Sequence, residues 1–321
     1  MQKKISLTRR GFLGAAAGAV TIAGVSGAAE KEKPFIKKLG TIDLDLVETS
    51  PVVFKNRLYR FEYVRPGYWN NKTGDSYFRF VDRNGEFGRA FGKGHHLGSA
   101  AVFDDLAVVT AVNIWDGERV EMFISRDLEN WEQRTALDLA GYGLFNTSLC
   151  KADDEYVLMF EVGKPPEVAG RRFTARFAKS PDLRSWTLTP PECTYSKDRY
   201  TAPHCLRYLD GKYYNFYLES VKGGWEQRVV RSADLIDWEP SRYPVLQASP
   251  EDKQIANEKL TESQREIIEK AENCNNSDID FCEFEGGLVI NYSWGNQHGT
   301  EFLAEGTYDG TEEEFLKGWF I

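Results

Sequence analysis

From Thr41 onward the chain is a succession of short apolar runs, many alternating with polar positions in the period of two that marks half-buried strands. Five runs open alike. ETSPVVF from Glu48, HHLGSAAVF from His95, FNTSLC from Phe145, YTAPHCL from Tyr200 and NNSDIDF from Asn275 each set a polar cluster before a strand-like run. A turn and a second run follow, with turn signals at Lys55-Asn56, Asp153-Asp154, Asp210-Gly211 and Gly286-Gly287. Five such starts predict five copies of one unit, with their polar openings gathered at one place.

A second motif sets the period. Ser125-Arg126-Asp127-Leu128-Glu129-Asn130-Trp131 returns as Ser180-Pro181-Asp182-Leu183-Arg184-Ser185-Trp186 and as Ser232-Ala233-Asp234-Leu235-Ile236-Asp237-Trp238. Tryptophans at 131, 186 and 238 keep the spacing of propeller blades rather than of helical repeats. Ser and Asp can fix the turn through nearby backbone amides, leaving Leu and Trp to pack between sheets. The fold class is therefore all-β, a five-bladed β-propeller with blades starting near residues 48, 96, 145, 201 and 277. The fifth blade lacks the Ser-Asp-Leu-Trp strand, and the spare strand Thr41 to Val47 is placed to complete it, closing the ring with both chain ends. Residues 249–273 break the pattern. Ile255, Leu260, Ile267 and Ile268 recur at roughly helical spacing, and Thr261 to Gln264 reads as a capping box, so a helical insertion is expected between blades four and five. A lid and a solvated excursion suit it equally.

The 321 residues are 41% hydrophobic, enough for a large core, and a net charge of -9 with mixed signs excludes a basic nucleic-acid surface. Residues 1–29 carry Lys3, Lys4, Arg9 and Arg10 ahead of an apolar stretch, Gly11 to Val25, that is short for a membrane span. Thr8-Arg9-Arg10-Gly11-Phe12-Leu13 resembles a twin-arginine export signal, which predicts a periplasmic or extracellular protein with no membrane contact after cleavage. Residues 30–40 read as a linker and 41–321 as one domain. Five cysteines without zinc-ligand spacing predict mostly buried thiols, with a Cys274–Cys282 disulfide left open. No phosphate loop, dinucleotide fingerprint or Ser-His-Asp spacing is present, and no organic cofactor or metal is assigned. Calcium or sodium in a central channel stays open.

Five blades, an export signal and the repeated Ser-x-Asp-Leu-x-x-Trp resemble the five-bladed β-propeller glycoside hydrolases of the family 43, 32 and 117 type, over about residues 41 to 321. The resemblance implies a hydrolase acting on polysaccharide-derived oligosaccharides. In family 43, carboxylates open the inner strands of blades one, three and four as base, helper and acid. Matching blade starts sets Glu48 at the base position, Asn146 at the helper position and Thr201 at the acid position, where Pro203-His204 still agree. Two of the three acids are thus replaced, which argues for a divergent member with its own catalytic set.

Glycosidic cleavage needs a proton donor and a second carboxylate that activates water or attacks. Asp278 holds in blade five the place Glu48 holds in blade one, and closure makes these blades neighbours. Glu48 and Asp278 are the candidate pair, with Asp280, two residues on, as an orienter or tuner; each acid could instead cap turn amides. Glu62, Glu161 and Glu219 end second strands, and Glu161 and Glu219 can reach the rim. Glu301 is a further acid of blade five. His95, His96 and His204 share blade openings and can bind sugar hydroxyls; the family 117 resemblance would also allow a histidine acid. Tyr68, Trp69, Trp115, Tyr200, Trp225 and Trp294 offer stacking faces or interblade core. Arg60, Arg65, Arg199 and Lys197 could engage an anionic glycan. The rival reading is a non-catalytic glycan-binding propeller, or sugar transfer on the same fold.

Overall fold

The computed structural model describes residues 33–65, 75–222 and 224–321. The expected export signal, and Tyr68 and Trp69, lie outside the described residues. The inner strand of each blade starts with one of the five openings: Thr49–Phe54, His96–Phe103, Gly143–Ala152, Thr201–Leu209 and Asn275–Phe284. These strands neighbour one another in a closed cycle, first to second through to fifth and back to first, which makes the ring. In each blade the next strand runs antiparallel after a tight turn. Lys55 and Asn56 both take positive φ in the first turn, as a two-residue hairpin requires. In blade five the turn falls at Glu285-Gly286, one residue earlier than expected, because Gly287 already pairs with Phe284.

The fifth sheet runs Asn275–Phe284, Gly287–Gly295, Phe302–Tyr308 and then Lys37–Leu44, so the N-terminal strand supplies its outer edge. The strand begins at Lys37, four residues before the expected start. Blade one has three strands (Thr49–Phe54, Arg57–Val64 and Tyr77–Asp82), extended by bridges from Phe78 to Phe91 and from Val81 to Phe87.

The repeated motif builds the same turn three times. Ser125 Oγ accepts from the amides of Asp127 and Leu128, and Asp127 Oδ1 accepts from those of Glu129 and Asn130. Asp182 serves Arg184 and Ser185, and Asp234 serves Ile236 and Asp237. Leu128, Leu183 and Leu235 all adopt positive φ and are buried. The tryptophans then join blades. Trp131 stacks on Phe91 at 3.9 Å and on Phe80 of blade one, while Trp238 stacks on Phe177 of blade three.

Between blades four and five the chain forms a 3-10 turn, Pro250–Lys253, and a helix, Glu262–Lys270, started by Thr261 in the expected capping box with Gln264. Ile268 is buried and Ile267 is exposed. Asp252, fully buried, anchors the insertion. Its carboxylate takes Lys38 Nζ at 2.7 Å and the Tyr292 hydroxyl at 2.9 Å, together with the amides of Asn273 and Asn276. A C-terminal helix, Glu312–Gly318, buries Phe315 and Leu316 against blades four and five; no helix was expected there. All five cysteines are free. Cys274 and Cys282 are held roughly 25 Å apart by the extended strand between them, which rules out their pairing. No helix among the described residues is long and apolar enough to cross a membrane.

Candidate active site

Every inner strand begins at the same end of the ring, and the five starts enclose a narrow central cavity. Glu48, Asn146, His204, Asp278 and Asp280 line it with Leu97–Ser99 of blade two. The neck holds about 40 Å³ of free space, room for a few waters. Four of the five starts carry a register shift: His96/Ser99, Phe160/Val162, Thr201/His204 and Ser277/Asp280. A bulge re-aims side chains, and sheets place them next to functional sites. Asp278 sits inside the fifth-blade bulge at φ 53, a left-handed conformation uncommon outside glycine that aspartate adopts more readily than most residues.

Asp278 Oδ2 accepts from the hydroxyls of Ser277 at 2.6 Å and Ser293 at 2.8 Å. Burial, reinforced by the charge of Glu48, pushes its carboxyl up to about 8, only partly offset by the two hydroxyls. Burial also raises Glu48, but there Arg65 opposes the rise, its guanidinium 3.9 Å from Oε2. The environments therefore separate the two acids. Glu48 has a cation beside it and ionises first; Asp278 has neutral donors and an anionic neighbour, and keeps its proton. With Oδ2 engaged by two hydroxyls, Oδ1 is the oxygen free to carry it.

Arg65 also reaches the Tyr63 hydroxyl at 3.5 Å, and Tyr63 Oη lies 2.5 Å from His96 Nδ1. Burial, aided by Arg65 and His95, pulls His96 down to about 4, so the ring is neutral and accepts the Tyr63 proton. His96 thus supports the Arg65 side of the site from behind the cavity wall.

On the far side, Glu161 is fully buried and raised by burial. Its Oε1 accepts from the His204 amide and from His204 Nδ1 at 2.9 Å, and its Oε2 from Asn146 Nδ2 at 2.9 Å. With Nδ1 engaged by Glu161, the other ring nitrogen, Nε2, has no partner among the described residues. An aromatic arc continues at this end of the ring through Trp115, Phe145, Phe173, Tyr200 and Trp225, each ring edge-on to the next at 4.8–6.1 Å. Tyr200 lies within the influence of both Glu161 and Asp278.

No family model matches the chain, and no curated protein matches it in sequence. Solved structures do match. An α-L-arabinofuranosidase from Podospora anserina, solved with cellotriose, aligns with a TM-score of 0.58 at 8% identity, covering 86% of this chain and 97% of that one. A family 43 enzyme from Xanthomonas citri gives 0.52 at 11% identity over 86% and 90%. The family 32 β-fructofuranosidase of Bombyx mori gives 0.55 at 11% over 88% and 66%. The fold is that of the five-bladed glycoside hydrolases.

Several expected residues stand outside the cavity of this propeller. His95 turns to the blade periphery, 3.3 Å from Gln133 of the outermost strand. Trp294 is fully buried, stacked on Phe302 and donating to Thr41 Oγ1, so it is blade core and not a sugar platform. Glu219 is taken by Arg199 at 2.9 Å and Arg228 at 3.4 Å. Glu62 is likewise paired with Arg60 and Arg79. Thr201 is buried beside the cavity without lining it. Asp280 does line the cavity, but its carboxylate is ion-paired with Arg207 and also accepts from the Phe281 amide. The bulge between Ser277 and Asp280 breaks the two-residue alternation that would set Asp280 directly below Asp278. Glu301 takes the tuning position instead: its buried carboxyl, raised to about 7, adds to the repulsion on Asp278. Ser293 and Tyr63 were not legible as site residues, because cross-strand register alone brings them there, and Ser277 lay in the fifth opening without a role of its own. No cluster of three or more His, Cys, Asp or Glu suited to a metal occurs among the described residues.

Proposed function

We propose that the chain is an exported glycoside hydrolase acting on oligosaccharides, with Asp278 as general acid and Glu48 as the ionised partner. The observation that carries this reading is the opposed pair of carboxyls on one cavity, one held protonated to about 8 and the other beside Arg65. Asp278 gives its Oδ1 proton to the glycosidic oxygen as the bond breaks. Glu48 takes a proton from the attacking water or itself attacks the anomeric carbon. His204 Nε2 hydrogen-bonds a sugar hydroxyl, with the ring oriented by Glu161, itself held by Asn146, and the aromatic arc receives the sugar face. The solved arabinofuranosidase with cellotriose supports a carbohydrate substrate by analogy of fold. The Arg9-Arg10 segment supports export by the twin-arginine route.

Turnover of a panel of aryl glycosides and oligosaccharides tests the assignment. The parent chain releases product from at least one member, and Asp278→Asn and Glu48→Gln each lower kcat by about 10²–10⁴. Saccharide binding without turnover, insensitive to both substitutions, would instead establish a glycan-binding propeller, a reading favoured by Asn146 and Thr201 standing where family 43 carries acids.

A further inference from the structure

Away from the ring axis, a cleft of about 370 Å³ opens on the seam where blade five meets blade one. Its walls are strands of both blades, with the N-terminal strand and residues 256–259 of the insertion closing one side. The volume lies within the range of about 300–1,000 Å³ typical of small-molecule sites. Most lining residues belong to the halves of the strands remote from the blade openings and none lines the central cavity, so the cleft and the central cavity are separate.

Asn291 is 1% exposed and lines this cleft, yet its side-chain oxygen Oδ1 accepts no hydrogen bond among the described residues. A buried acceptor left unmatched costs about 1–3 kcal/mol, and an occupant with a hydroxyl would remove that cost. Glu305, cross-strand partner of Asn291, lines the same wall and is pushed toward its neutral, proton-donating form by burial. The nearby cations are already engaged: Arg60 by Glu62, Arg83 by Glu285, and Lys259 by the Asn84 carbonyl. An anion would have to compete for them, whereas a neutral ligand would not. Apolar side chains of Leu39, Val81 and Val289 supply a surface for C–H groups.

We propose that this seam cleft binds one or two rings of a neutral saccharide, with a ring hydroxyl donating to Asn291 Oδ1 and a C–H face against Leu39, Val81 and Val289. The choice of a saccharide rests on the carbohydrate reading of the central cavity. Because the two sites are separate, the seam would hold a chain of substrate without blocking its own cleavage.

Calorimetric titration of xylohexaose, cellohexaose, arabinohexaose and laminarihexaose into the full chain carrying Asp278→Asn tests the proposal. Ala256→Trp or Lys259→Trp, each at an exposed position on the insertion wall, fills the cleft from outside. The expected result is binding of at least one hexaose at two sites, one of which weakens tenfold or more with either tryptophan. In the native chain the same tryptophans leave kcat on a short aryl glycoside unchanged. The proposal is overturned if no hexaose binds, or if binding is unaffected by both substitutions in chains that melt like the parent. Failure of the hydrolase reading is distinguishable: the native chain shows no turnover, while tryptophan-sensitive binding persists.

Discussion

Asp278→Asn should make the protein more stable relative to the parent as pH rises. An unfolded aspartate releases its proton near 3.9, whereas Asp278 in the folded chain holds it to about 8. Between those values the folded state binds the extra proton, so raising the pH favours unfolding. One proton gives a slope of at most ~1.4 kcal/mol per pH unit, or about 3 kcal/mol from pH 5 to pH 7. Asp278 is partly open to the cavity water, and screening there should reduce the change to about 1.5–2 kcal/mol. Asparagine keeps the shape and an acceptor for Ser277 and Ser293 but has nothing to ionise. Urea unfolding of both chains at pH 5, 6, 7 and 8 measures the difference, provided the m-values agree. Parallel stability curves across that range would refute the retained proton, whatever the activity of the variant.

Three further outcomes are expected. Arg65→Met removes the cation beside Glu48, so the acidic limb of kcat/KM should move upward by about one pH unit or more, read from a pH–rate profile. His204→Ala removes the unpartnered Nε2 and should raise KM by about tenfold with a smaller effect on kcat, as loss of one hydrogen bond implies. Asp252→Ala removes the ion pair of half-buried Lys38 and undoes the contacts of the insertion with Tyr292 and Asn276, so denaturant unfolding should reveal a loss of about 2–4 kcal/mol.

The architecture was legible because its signals are local. Ser-x-Asp-Leu-x-x-Trp encodes a turn whose hydrogen bonds span three residues, and its tryptophan must find the neighbouring sheet. The pairing of Lys37–Leu44 with Phe302–Tyr308 followed from counting strands, since an unfinished fifth blade leaves an open edge. The Thr261 cap was equally local, although the Thr311 cap that starts the C-terminal helix went unread. The site was legible only in part. Glu48, Asn146, His204 and Asp278 were placed at the cavity because they open inner strands, and Glu161 was noted because it closes a second strand. Asp280 and Trp294 misled for opposite reasons: a bulge changed the direction of the first, and complete burial gave the second a core role. Arg65 entered only as a candidate for anionic glycans, since nothing in sequence reveals that it stands beside Glu48.

Asp278 stays protonated at neutral pH because it is buried opposite an ionised Glu48. Site-resolved carboxyl ¹³C NMR, with Asp278 assigned through Asp278→Asn, reads that proton directly in the parent and in Glu48→Gln. The midpoint is expected near 8 in the parent, falling by a pH unit or more once Glu48 carries no charge. A midpoint near 4, unmoved by Glu48→Gln, would contradict it.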